Sequence, residues 1–313
     1  MQETKKTIQE QVTYLIDQGI SVPDRNIAEN YLRDHLNFYR LCSYLKLLTY
    51  GNTGKYIKGI SFYHLVELSK LDLAFRRVIL PMTIDIEFAS KLELNRDCSN
   101  NPLDDGYSFA TTYIGNDPIL NKKYQEKISS NTDEYAKEIL VNHYPNLAVW
   151  HLMEMMTFGE FIFFWKNYYI AFPNPTINIT WRNNLFFVTK KLRNACAHNN
   201  FMLPSLKKNP NQINKQFMSK IALLFSSNGQ QISDSEKKAI KSSMLLSDFL
   251  MMLMLFDEIV ISNSLRKRAA SELHELFDNR MLTNKRLFTS STDLVIYYHI
   301  AKKIVDMIFP QQL

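Results

Sequence analysis

The stretch KKLRNACAHNN, residues 190–200, holds an arginine, an asparagine and a histidine at a spacing that can do chemistry. Arg193, Asn194 and His198 are the residue types that metal-independent cleavage of an RNA phosphodiester needs. A histidine titrating near neutrality moves a proton at the attacking 2′-hydroxyl or at the leaving oxygen. A guanidinium holds the charge that develops on the phosphorane oxygens. An amide fixes the imidazole tautomer or a phosphate oxygen. Asn194 and His198 are four residues apart and so neighbours on one helix face. Arg193 precedes His198 by five residues, about 140° round an ideal helix, so a single chain does not guarantee that the two converge. A plainer reading stands beside this one, in which polar residues at a helix end satisfy its last carbonyls and its dipole.

The helix that carries these residues reads from about Trp181. At about 100° per residue, Trp181, Leu185, Val188, Leu192, Ala195 and Cys196 form a core-facing stripe, with Lys190, Asn194 and His198 opposite. Other helices read at 3–18 and, capped by Asp24, from there to about residue 48. YGNTGKYIKG is a turn-rich loop or hairpin, and Ser61 caps a helix that Pro81 kinks or divides. Residues 98–118 are the most loop-like stretch, followed by a polar helix at 119–142. LAVWHLMEMMTFGEFIFFWKNYY reads as one long helix stopped by AFPNPTIN. LPSLKKNPNQ is a loop, and helices at about 213–226, 233–262, 264–280 and 291–309 complete the chain. The expectation is one multi-helical domain over 1–313, with an N-terminal helical part (1–142), core helices bearing the motif (143–226) and C-terminal helices (227–313).

Composition agrees with an all-α class. Of 313 residues only 8 are glycine, too few for the turns of a sandwich or doubly wound sheet, while 46% are apolar and 22% charged, as in a folded globular chain. Lys and Arg exceed Asp and Glu, 37 to 31, for a net charge of +6, which suits an anionic partner such as RNA. Cys42, Cys98 and Cys196 are odd in number, far apart and without zinc spacing, so a reduced, cytoplasmic setting and no metal are expected. The polar start MQETKKTIQEQV has no apolar signal core, and the longest apolar run, FLMMLMLF at 249–256, is too short to span a bilayer, so no membrane association is expected.

Beyond the motif, longer segments carry a resemblance. RNACAH is similar to the R-x4–6-H motif of the HEPN superfamily, including the Asn after the Arg. YLRDHLNFYRLCSYLKLL, ISFYHLVELSKLDLAFRRVILPMTIDIEFASKL, NLAVWHLMEMMTFGEFIFFWKNY and LRNACAHNN resemble, in order, bacterial abortive-infection proteins of the AbiD/AbiF type over most of residues 5–203. The resemblance implies a HEPN-like bundle with helical N- and C-terminal additions and a role in phage defence or a toxin–antitoxin system. It implies metal-independent RNA cleavage to a 2′,3′-cyclic phosphate and a 5′-hydroxyl, without a cofactor. It further implies a homodimer whose site is built from two copies of the motif, and control by a small non-coding RNA. On this basis Arg193 stabilises phosphate charge, His198 transfers protons and Asn194 orients them. One departure is visible: where the family often has a second His and a following Arg, this chain has Asn199, Asn200 and Phe201.

Other residues invite chemistry and are weighed against plainer roles. Cys196 and His198 point to nearly opposite helix sides, and Cys196 lies in the apolar stripe, so a packed thiol is favoured over a nucleophile. His151 and Glu154 lack the further ligands a helical metal site requires. Gly159 weakens a helix unless it permits close approach, by the motif helix for example, or marks a kink. The aromatics of FIFFWKNYY are favoured as core over base-stacking platforms. Lys190, Lys191, Lys207 and Lys208 flank the motif and, with Asn199, are the expected RNA contacts, ahead of Arg266, Lys267 and Arg268. Two rivals to a nuclease remain: a HEPN fold that grips structured RNA without cutting it, and a protein-interaction component of a defence system.

Overall fold

The computed structural model describes residues 5–50, 55–129, 137–210 and 215–311. It is all-helical, and among the described residues the only β pairing is two isolated bridges, Ser21 with Ser61 and Thr49 with Tyr56. The second bridge closes the expected hairpin-like turn, whose tip at 51–54 lies outside the described residues.

In chain order, α1 is Ile8–Asp17, α2 Arg25–Asp34, α3 Phe38–Ser43, α4 Phe62–Asn100 and α5 Ser108–Gly115. Then come α6 Pro118–Ser129, α7 Lys137–His143, α8 Val149–Met155, α9 Phe158–Ala171 and α10 Ile179–Ala197. The last third holds α11 Lys215–Ser227, α12 Asp234–Ser242, α13 Met244–Ile259, α14 Asn263–His274 and α15 Thr292–Ile308. Asp24 caps α2 by accepting from the Ile27 amide at 3.0 Å, as its sequence suggests.

Several boundaries differ from the pattern reading. The helix expected to run from Asp24 to residue 48 ends at Asp34, because Asn37 caps a fresh helix, α3, which tightens into a 3-10 turn at Tyr44–Leu48. Pro81 does not divide α4, which continues for 39 residues. A proline donates no hydrogen bond to the carbonyl four residues back, here that of Arg77, and the helix tolerates that loss. The long helix expected from residue 147 breaks between α8 and α9. There Thr157 and Glu160 form a reciprocal capping box that starts α9 afresh. A similar break separates α12 from α13, whose axes differ by 101°. The loop-like stretch 98–118 contains the short helix α5. No single helix among the described residues is long and apolar enough to cross a membrane.

The chain forms two compact units. The first comprises Met1–Met82, Leu192–Met254 and Ser262–Leu313; the second comprises Thr83–Lys191 and Leu255–Ile261. In the first, Phe75 packs edge-on against Phe249 at 5.3 Å between ring centroids, and Phe249 stacks on Phe277 at 6.1 Å. The second is centred on aromatics: Phe161, Phe164 and Trp165 of α9 are fully buried, and Trp165 meets Phe186 of α10 edge-on at 4.9 Å. The core reading of FIFFWKNYY therefore holds for most of its rings. Phe163 is the ring left 51% exposed.

Candidate functional site

Helix α10 carries the motif, and each part of it is fixed by identifiable contacts. At its start, Asn178 accepts from the Trp181 amide at 3.0 Å. One turn on, the buried guanidinium of Arg182 pairs with Glu93 and, at 2.6 Å, with Glu258. A buried arginine with two carboxylates satisfies its donors and fixes the helix rotationally. Of the expected stripe, Trp181, Leu185, Leu192 and Cys196 are buried, while Val188 and Ala195 are half-buried, so its centre faces the core.

In the middle of α10 the Lys190 side chain lies against Gly159 of α9, where a Cβ would stand 3.4 Å from Lys190 Cδ. The glycine thus marks a close approach by the motif helix. The Lys190 ammonium sits 4.9 Å from the Phe187 ring centroid, and Phe187 meets the exposed Phe163 edge-on at 5.6 Å. The lysine is therefore held by packing and by cation–π attraction.

The end of α10 is a two-bond left-handed cap. The Asn200 amide donates to Ala195 O at 2.8 Å and the Asn199 amide to Cys196 O at 3.1 Å, with Asn199 at φ 53°. That is the Schellman arrangement, and after glycine, asparagine is the residue that best tolerates the left-handed position. The residue standing where the family often has a second histidine thus has a conformational role.

A buried carboxylate holds the segment just beyond this cap. Asp72 of α4 is 0% exposed, and its Oδ1 accepts from the amides of Met202 and Leu203, both at 2.9 Å. Its Oδ2 accepts from Tyr44 Oη at 2.9 Å, from Arg76 and, at 3.5 Å, from Arg40. The same arginines reach the cap: Arg40 donates to Asn199 O at 2.6 Å and Arg76 to Asn200 O at 3.0 Å. Phe201 packs edge-on against Tyr39 at 6.0 Å. Burial and the Asp72 charge push the Tyr44 phenol up, which keeps it a donor. None of these partners stands out in the sequence by itself. The available signal is an acidic residue inside an apolar helical stripe with an arginine four residues on, Asp72-x-x-x-Arg76.

Arg193 is half-buried, and its Nε is buried with no hydrogen-bond partner among the described residues. Its Nη1 makes a long 3.4 Å contact to Asn194 Oδ1. His198 still rides the last turn, donating its amide to Asn194 O at 2.9 Å, while its ring is exposed and hydrogen-bonded to none of the described residues. The structure therefore brings Arg193 and Asn194 together and joins neither side chain to His198. Lys191 and Lys208 are exposed. Lys207, expected to reach phosphate, is 12% exposed and ion-paired to Asp293 instead.

Cys196 does not serve as a nucleophile here. It is 4% exposed, lies 3.5 Å from Met202 Sδ, and burial pushes its thiol up to about 12. His151 Nδ1 accepts from the Ala148 amide at 3.2 Å, and its ring stacks on His143 at 4.0 Å, which accounts for it without a metal. Among the described residues no group of three His, Cys, Asp or Glu is placed to hold a metal ion.

Fold and site define an all-helical protein with an Arg-Asn-x-x-x-His sequence at the capped, solvent-facing end of one helix. The chain belongs to the Abi-like protein family, whose model matches residues 30–203, more than half of its length. The match ends at Leu203, the last residue whose amide Asp72 holds. No curated protein and no solved structure matches the chain.

Proposed function

We propose that this chain is a phage-defence ribonuclease of HEPN type, in which His198 transfers protons, Arg193 stabilises phosphate charge and Asn194 orients the guanidinium. Family membership suggests abortive infection. The observation that carries the finer reading is the state of the motif side chains: an exposed imidazole five residues from an arginine whose buried Nε has no partner among the described residues. Capping uses the backbone of this helix end, Asn199, Arg40 and Arg76, and consumes neither Arg193 nor His198. The plainer role for the motif is therefore filled by other residues. Cleavage starts with attack of a 2′-oxygen on phosphorus as His198 moves a proton, and ends in a 2′,3′-cyclic phosphate and a 5′-hydroxyl.

Arg193 and His198 share no hydrogen bond within one chain, so the composite site calls for a second copy presenting its own motif across a two-fold axis. Substrate phosphates meet Lys191 and Lys208, with Lys190 contributing from its seat beside Gly159. The occupation of Asn199 in the cap favours a second reading, a binder of structured RNA that does not cut, since an asparagine cannot replace a proton-transferring histidine.

Induction of wild type and His198→Ala in cells, followed by sequencing of RNA 5′ ends, tests the assignment. New 5′-hydroxyl ends are expected with wild type only. Equal ends from both would remove His198 from the reaction, and no new ends from either, with RNA co-purifying, would leave the binder. Light scattering on the same proteins is expected to show a dimer.

A further inference from the structure

The first unit holds a half-open cavity of about 590 Å³ that no step of the proposed cleavage uses. Its walls come from α4, the 3-10 turn after the motif (Leu203–Lys207), α13, the π-turn at Glu275–Arg280 and α15. Leu68, Phe75, Leu206, Leu246, Phe249 and Phe277 make it apolar. Protein interiors hold few voids larger than a water molecule, whereas this volume falls in the range of ligand pockets. Solvent reaches it: Leu71, Leu203, Leu206, Phe288 and Tyr297 each keep 8–9% exposure, whereas Leu65 and Ile79 on α4 keep none.

The lining has few polar groups besides Thr289. Lys285 and His299 line the cavity with the phenols of Tyr297 and Tyr298, and no carboxylate does. Lys285 is exposed and has no ion pair among the described residues. An apolar body placed here would remove both itself and the walls from water. The Lys285 ammonium, at the edge and without an ion pair among the described residues, favours a negative head group there.

We propose that this cavity binds a small amphipathic anion, a medium-chain aliphatic carboxylate whose tail fills the apolar space and whose head meets Lys285. Leu203 is both a wall of the cavity and an amide partner of Asp72, so an occupant bears on the network that caps the motif helix. The binding itself is independent of whether the motif cuts RNA.

Titration calorimetry with the full chain tests it, using dodecanoate, dodecanol and acetate below micellar concentrations. One dodecanoate per chain is expected, with dodecanol weaker and acetate silent. Lys285→Glu, a surface change, should weaken dodecanoate roughly tenfold, as loss of a charge-assisted hydrogen bond implies, and leave dodecanol unchanged. Leu246→Trp, which fills the space, should abolish binding of both at unchanged helical circular dichroism; if it does not fold, the Lys285 variant decides alone. Absence of saturable dodecanoate binding, equal affinity for dodecanol, or an unaffected Lys285→Glu protein would each overturn the proposal.

Discussion

Lys190 of α10 lies over Gly159 of α9, its Cδ at 3.4 Å from where a glycine Cβ would stand. That separation is ordinary van der Waals contact, so one methyl fits. Gly159→Ala should leave stability unchanged or raise it by up to about 1 kcal/mol, since alanine is the better helix former. Gly159→Leu should displace the Lys190 stem from its place and destabilise by about 1–3 kcal/mol, as overpacking does. Urea melts of both variants check this, and a strongly destabilised alanine variant would show that the two helices leave no room for a methyl.

Asp72 should be the most sensitive single position at the end of the motif. Asp72→Ala leaves two buried amides and a buried phenol without their acceptor and Arg76 without its counter-charge, at a cost of about 3–5 kcal/mol. Asp72→Asn keeps an acceptor for the two amides and should cost less. Hydrogen exchange at Met202 and Leu203 should speed up in the alanine variant. Unchanged protection there would mean that the carboxylate does not hold this segment.

Asn199 separates shape from chemistry. Asn199→Gly retains the left-handed cap and should be near neutral for stability, while Asn199→Ala should cost about 1–2 kcal/mol. If the glycine variant also keeps its RNA affinity, the asparagine serves the backbone alone. A large loss of affinity in a stable glycine variant would restore it as an RNA contact.

Thiol reactivity should track burial. Burial first, and for Cys98 the hydrogen bond to Asp104 as well, pushes the Cys98 and Cys196 thiols up to about 12. A raised thiol pKa depletes the thiolate, so at pH 8 only about 1 in 10⁴ of either is ionised. Iodoacetamide on the native protein should modify Cys42 alone, with all three alkylated after unfolding. Rapid native labelling of Cys196, read by peptide mass spectrometry, would contradict this, and labelling should rise with pH because ionisation does.

The flanking lysines should divide by their present partners. Lys208→Gln should flatten the slope of log affinity against log salt by about 0.7–0.9, the value of one phosphate contact. Lys207→Gln breaks the pair with Asp293 and should lower stability by about 1 kcal/mol while leaving the salt slope unchanged. A flattened slope in the Lys207 variant would mean that RNA displaces Asp293.

The helical class and the apolar stripe of α10 were legible because a 3.6-residue period survives without tertiary information. Helix breaks were less so. Between α8 and α9 the apolar run continues straight through the junction, and only Thr157-x-x-Glu160 marks a new start. At Pro81 the sequence left a kink or a division open, and the helix runs on undivided. The helix that carries Arg193, Asn194 and His198 was legible from its apolar period, whereas the long-range contacts of Asp72, Arg40 and Arg76 that hold its end were not. Their partners lie more than a hundred residues away along the chain, and sequence pattern carries no distance information at that range. The pairing of Lys207 with Asp293, 86 positions apart, was equally beyond the reach of sequence pattern.

Those separations also impose an order in time. Arg40 and Asn199 are 159 positions apart, and Arg76 and Asn200 are 124. At about 5–20 residues per second, a ribosome makes the arginine of each contact roughly 6–30 s before the motif emerges. When Arg193 and His198 are made, the groups that finish their helix have already been synthesised. A nascent chain of this protein should therefore acquire its finished helix end late and in one step, after release of residue 203 from the exit tunnel, rather than gradually along its synthesis.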